Sequence, residues 1–122
     1  MKHSPGFLKI VDEAKSHVEE CTPEDVQRKQ AAGEEFFLVD VREDNEWNKG
    51  RARGAIHLGK GIIERDVEAT IPDHSAQIIL YCGGGYRSAL AAEALQRMGY
   101  TNVISMDGGW KRWCELGYPM EF

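Results

Sequence analysis

Cysteine is scarce in this chain: three residues in 122, Cys21, Cys82 and Cys114, with no Cys-x-x-Cys pair. An odd count without that spacing excludes a disulfide framework, a zinc site and a dithiol redox centre. Long apolar runs are also missing. The longest, Phe36–Val39 and Ile78–Cys82, are far too short to span a bilayer. The first residues, MKHSPGFLKIVDEAK, offer no apolar stretch before their charges return, so no secretory signal is expected. Positive charge is in deficit, with 15 Lys+Arg against 20 Asp+Glu and a formal net charge of −5. Nucleic acid and anionic membranes call for a basic footprint and are not expected as partners. No repeat, low-complexity tract or Pro/Gly/Ser linker divides the chain. What is present is ordinary for a globular protein: 42% hydrophobic and 29% charged residues. The expectation is one core, reduced thiols and a cytoplasmic location.

The patterning alternates helix and strand. Residues 4–16 carry Phe7, Leu8, Val11 and Ala14 at helical spacing behind Ser4-Pro5, a short helical extension to a domain spanning 17–122. A short strand is expected over His17–Cys21. Thr22-Pro23-Glu24-Asp25 then reads as an N-cap, a Pro at N1 and an acidic first turn, for a helix ending at Gly33. Phe36–Val41 and Ala76–Cys82 read as strands buried on both faces, and Asn102–Met106 as another. Arg87–Met98, with its Ala91, Leu95, Met98 stripe, reads as a helix stopped by Gly99. A last helix is expected over Gly109–Leu116. Strands alternating with helices predict an α/β fold with a mostly parallel sheet.

In such a sheet, ligands bind beyond the carboxyl ends of the strands. The segment leaving the Ala76–Cys82 strand there is Cys82-Gly83-Gly84-Gly85-Tyr86-Arg87-Ser88, directly before a helix. Three glycines let the backbone curl and aim successive N–H groups inward. The helix N-terminus adds unsatisfied donors and partial positive charge, and Arg87 adds a full one. A thiol ringed by such donors is expected to react as the thiolate, a nucleophile facing an anionic or sulfur-bearing substrate.

CGGGYRS resembles the Cys-x-x-Gly-x-Arg-Ser loop of the rhodanese-like sulfurtransferases. LVDVREDNEW (Leu38–Trp47) resembles the family's strand ending in Asp-x-Arg, GAIHL (Gly54–Leu58) its Gly-Ala segment, and MDGGWKRW (Met106–Trp113) its closing Gly-Gly helix. Gly84 stands where many members carry a small polar residue, and Gly83 where thiosulfate users often carry a basic one. The resemblance implies a three-layer sandwich, a central sheet of about five strands between helices. It also implies a sulfurtransferase in which Cys82 takes a sulfane sulfur from a small anionic donor such as thiosulfate and becomes a persulfide. A thiophilic acceptor (cyanide, a thiol or a protein thiol) then removes it, with no cofactor and no metal.

Residues 83–88 are the expected substrate loop around catalytic Cys82, with Tyr86 at the pocket mouth and Ser88 as a helix donor or substrate contact. Asp40, Arg42 and Glu46 are expected to brace the loop as an ion-pair network. Trp47, Trp110 and Trp113 are assigned to packing, His57 to structure, and Cys21 and Cys114 to buried thiols that do not resolve the persulfide. A cysteine-dependent phosphatase or arsenate reductase of related fold would use Cys-x5-Arg, whereas Cys82 and Arg87 are separated by Gly, Gly, Gly and Tyr. A non-catalytic module of the same fold commonly lacks the cysteine.

Overall fold

The computed structural model describes residues 2–122. Helix α1 (Pro5–Lys15) leads into strand β1 (Glu19–Cys21), helix α2 (Pro23–Ala31) and strand β2 (Phe37–Asp40). Helix α3 (Asp44–Lys49), the short strands β3 (Arg51–Ala52) and β4 (Ala55–His57), and helix α4 (Ile63–Thr70) follow. The chain closes with β5 (Ile78–Tyr81), α5 (Tyr86–Arg97), β6 (Val103–Met106), α6 (Gly109–Glu115) and β7 (Met120–Glu121). The main sheet has the order β1-β6-β5-β2-β4, and every pairing in it is parallel. An antiparallel pair, β3 with β7, ties the C-terminal residues back to the middle of the chain.

Local chemistry explains the elements read from sequence. The Thr22 hydroxyl accepts the Asp25 N–H at 3.1 Å while the Asp25 carboxylate accepts the Thr22 N–H at 3.0 Å, a reciprocal cap of α2. Gly33, at φ +71°, ends that helix in a left-handed turn. Side chains alternate along the strands, so two cores form. Ile78 and Leu80 of β5 pack with Ala14 of α1, Ile63 and Val67 of α4, and Ala89, Ala92 and Leu95 of α5. Ile79 and Tyr81 face the other way, onto Val26 of α2 and Trp113 of α6. Helices therefore cover both faces: α1, α4 and α5 on one, α2 and α6 on the other.

Several expectations shift. Strand β2 is buried only from Leu38 to Asp40, since Phe37 at its start is exposed. Strand β1 starts at Glu19, because His17 sits on the turn after α1 and pairs with Glu93 instead of joining the ladder. Helix α4 has no strong cap or run to announce it: Ile62 precedes it with no side-chain cap, and only Ile63 and Val67 bury. Strand β4 lies in the Gly54–Leu58 segment, three residues at a sheet edge that pair with β2 alone. Cys114 is exposed rather than buried. It follows Trp113 on α6, and a rotation of about 100° per residue carries it off the face on which Trp113 is fully buried. Among the described residues, no helix is long and apolar enough to cross a membrane.

Candidate active site

Strand β5 is central in the sheet, and its four residues are all buried. It delivers Cys82, only 1% exposed, to the loop preceding α5. The Cys82 Sγ accepts the backbone N–H of Gly85 at 3.1 Å and that of Ser88 at 3.4 Å. The Ser88 Oγ lies 3.6 Å from the sulfur and 2.8 Å from the Ser105 Oγ of β6, and both serines are fully buried. Two backbone N–H groups therefore point at one sulfur, which can itself donate to the Ser88 Oγ.

The loop is held from outside by the start of α6. The N–H groups of Trp110, Lys111 and Gly108 donate to the carbonyls of Cys82, Gly83 and Gly84, at 2.8, 3.0 and 3.3 Å. Three successive carbonyls are thus engaged on the α6 side. The N–H groups of Gly83, Gly84, Tyr86 and Arg87 have no acceptor among the described residues. This is the donor-rich cradle that three glycines predict, but the glycines are not equivalent. Gly85 has φ +103°, and a Cβ there would lie 3.1 Å from the Asp107 Cα, whereas Gly84 faces open space. Gly109 in α6 is tighter still, since its Cβ would meet the Cys82 carbonyl oxygen at 2.4 Å.

Arg87 hangs over the loop, with its Nη2 3.2 Å from where a Gly83 side chain would begin. Its guanidinium donates to both oxygens of Glu46, at 2.8 and 3.2 Å. The bond from Arg87 holds the Glu46 carboxyl below its ordinary range, against the effect of burial. The same bond raises Arg87, again against burial, and the neighbouring Cys82 sulfur raises it further. Asp40 and Arg42 form a separate, almost fully buried pair: Arg42 Nη2 reaches Asp40 Oδ2 at 2.8 Å and the Gly50 carbonyl at 2.6 Å. The Arg42 guanidinium also lies 4.8 Å from the Trp110 ring centroid, and so supports the start of α6 that clamps the loop. The expected single ion-pair network is divided into two separate pairs. Glu46 touches the loop through Arg87, while Asp40 and Arg42 make no side-chain hydrogen bond to residues 82–88 among the described residues.

Cys82 sits at a cavity of about 970 Å³. Its walls include the expected Gly83, Gly84, Tyr86 and Arg87, but also His3 and Phe7 from the N-terminal segment and Lys111, Arg112 and Glu115 from α6. Sequence reasoning missed those five together with Ser105. The signal for the α6 residues was the closing Gly-Gly-Trp-Lys-Arg segment, which lands beside the loop. Ser105 has a weaker one, as a lone hydroxyl inside an apolar strand. Nothing local marks His3 or Phe7. Burial pushes the Cys21 thiol up to about 12, which leaves it a poor nucleophile at neutral pH. His57 stacks on Trp47, with centroids 4.8 Å apart, and bonds the Arg42 carbonyl, away from the cavity. Among the described residues, no three His, Cys, Asp or Glu side chains cluster as a metal site.

Comparison with known proteins agrees with this geometry. Residues 22–116 match the model of the rhodanese-like domain. The chain is 35% identical over 88 residues to the thiosulfate sulfurtransferase GlpE of Actinobacillus succinogenes, an alignment covering 72% of this chain and 78% of that protein. One Bacillus subtilis relative, 29% identical over 98 residues, is matched over 80% of this chain and about half, 52%, of its own length. Among solved structures, a Rhodopseudomonas palustris protein of unknown function, described as a possible tyrosine phosphatase, superposes with a TM-score of 0.87 at 29% identity. That superposition covers 99% of this chain and 98% of the other. With residues 22–116, from the end of β1 to α6, matched by the family's model, this chain belongs to the rhodanese-like domain family.

Proposed function

We propose that the protein is a sulfurtransferase working through a persulfide on Cys82. The observation that carries this reading is the Cys82 sulfur itself, set in the wall of a cavity and contacted by the N–H groups of Gly85 and Ser88. The Cys82 thiolate attacks the outer sulfur of a sulfane donor such as thiosulfate. A new S–S bond forms, the donor's S–S bond breaks, and sulfite leaves with the electron pair. The unpartnered N–H groups of the loop hold the negative outer sulfur of the persulfide. An acceptor thiolate or cyanide then attacks that sulfur, and the electron pair returns to Cys82. Neither step needs a metal or a dedicated general base. Reduced thiols fit a cytoplasmic setting.

Phosphate-ester hydrolysis is the competing reading, raised by the description of the Rhodopseudomonas palustris neighbour. Two features of this chain weigh against it. The loop has four residues between Cys82 and Arg87, one short of the phosphatase ring. The guanidinium fork that would clamp an oxyanion is already engaged by both oxygens of Glu46. The deciding experiment is intact-mass spectrometry before and after thiosulfate, beside an aryl-phosphate assay. A gain of one sulfur is expected, absent in Cys82→Ser and retained in Cys21→Ser and Cys114→Ser. Cys82-dependent phosphate release without sulfur loading would overturn the reading.

A further inference from the structure

Helix α1 precedes the residues that match the family domain, yet it reaches the active site. Val11 and Ala14, 1% and 0% exposed, anchor it, and Ala14 shares a core with α5. Its last residue, Lys15, bonds Glu20 and Asp107 at 3.0 Å each and lies 5.4 Å from the Tyr86 ring centroid. At the other end, His3 and Phe7 join Tyr86 in an aromatic cluster, with centroids 4.9 Å (His3–Tyr86), 5.3 Å (His3–Phe7) and 6.2 Å (Phe7–Tyr86) apart. All three rings line the Cys82 cavity. From the other face of the sheet, α6 brings Lys111 to the same cavity, and its ammonium has no carboxylate within bonding reach among the described residues. Of the carboxylates in the cavity wall, Glu46 is occupied by Arg87, and Glu115 lies 3.8 Å from Arg112.

The cavity is far larger than the small reagents of the transfer. Five water-sized atoms, the size of thiosulfate, fill at most about 150 Å³, whereas about 970 Å³ is present, the scale of a site for an organic ligand. Its wall has two characters: flat ring surfaces on the α1 side, and on the α6 side the unpaired Lys111 beside Arg112 and Glu115, which face each other at 3.8 Å. Ring faces take planar apolar groups, and a lone ammonium takes a carboxylate. We propose that His3, Phe7 and Tyr86, with Lys111, form an acceptor subsite for a small aromatic thiol bearing a carboxylate. This rests on the sulfur-transfer reading. The acceptor thiolate attacks the outer sulfur of the Cys82 persulfide. The new S–S bond forms on the acceptor, the bond to the Cys82 sulfur breaks, and its electron pair restores the thiolate.

The test uses two unreactive thioether probes on the full chain, para-methylthiobenzoate and its uncharged counterpart thioanisole, with binding followed by calorimetry. Phe7→Ala should weaken both probes about tenfold, the loss of one buried aromatic contact. Lys111→Gln should weaken the benzoate about two- to fivefold and leave thioanisole unaffected. Ile10→Ala, on the exposed side of α1, is the control. Thiosulfate loading, read by mass in parallel, separates the two failures. Loading without saturable probe binding, or binding that Phe7→Ala does not weaken, overturns the subsite alone. Binding without loading overturns the sulfur-transfer reading and the acceptor role with it. Transfer to a reduced protein thiol that Phe7→Ala slows, with no probe binding, would give this wall to a macromolecule and also overturn the assignment.

Discussion

Both oxygens of the Glu46 carboxylate face the Arg87 guanidinium, so the one charge within the Cys82 loop is tied to a helix forty-one positions earlier in the chain. Glu46 is fixed in turn by accepting the Glu43 N–H at 3.0 Å at the start of α3. The pair is about a third exposed on each side, so its attraction is partly screened by water. Its structural consequence is larger, because it sets where the Arg87 side chain can go.

Removing Arg87 takes away the loop's cation and leaves Glu46 uncompensated beside the cavity. Arg87→Ala should slow persulfide formation from thiosulfate, at a cost of about 1.5–3 kcal/mol or roughly ten- to hundredfold in rate. Adding Glu46→Gln should recover part of that loss, since the repelling carboxylate goes too. Rapid-quench kinetics of sulfur loading on the four proteins of the cycle checks this. Additive losses would mean that the pair does not act as a unit.

The pair also predicts the acid limb of stability. Glu46 is held below its ordinary value in the folded state, so the folded protein binds this proton less readily than the unfolded chain. The resulting stabilisation is complete above the unfolded value, about 4.3, and disappears as pH falls through the lowered folded value. Thermal midpoints measured from pH 7 downward should therefore converge for the natural protein and Glu46→Gln in acid, with the natural protein higher at neutral pH.

The loop glycines should respond unequally. Gly85→Ala combines a positive φ with contact against the Asp107 backbone and should destabilise by about 1–3 kcal/mol. Gly84→Ala meets nothing within 4 Å and should stay within about 0.5 kcal/mol. Chemical denaturation of both variants decides, and equal losses would place the strain elsewhere in the loop.

The other two thiols give a labelling pattern. With the Cys21 thiol pushed up to about 12, from an ordinary value of 9.0, its thiolate fraction below pH 9 is roughly a thousandfold lower than in the unfolded chain. Iodoacetamide at pH 8 should modify exposed Cys114 in the native protein and reach Cys21 only after denaturation. Peptide mapping reads the result, and native labelling of half-buried Cys21 at the rate of Cys114 would refute the raised Cys21 thiol.

The sequence by itself determined the elements whose causes are local. The Thr22–Asp25 cap, the all-buried Ile78–Tyr81 strand, the Ala-rich α5 and the glycine loop ahead of it depend on neighbours a few residues away. Cys82 and its cradle were legible for the same reason, because a strand end, three glycines and a helix start are consecutive. Strand β4 and helix α4 were not, since their short segments gain stability only from β2 and from the shared core. Tertiary structure alone decided which groups meet at the sulfur. It placed Ser105 against Ser88, the α6 amides on the loop carbonyls, Glu46 rather than Arg42 on the loop's edge, and His3 and Phe7 over Tyr86. Each of those contacts joins residues far apart in the chain, and only the parallel stacking of β2, β5 and β6 brings their carboxyl ends to one edge.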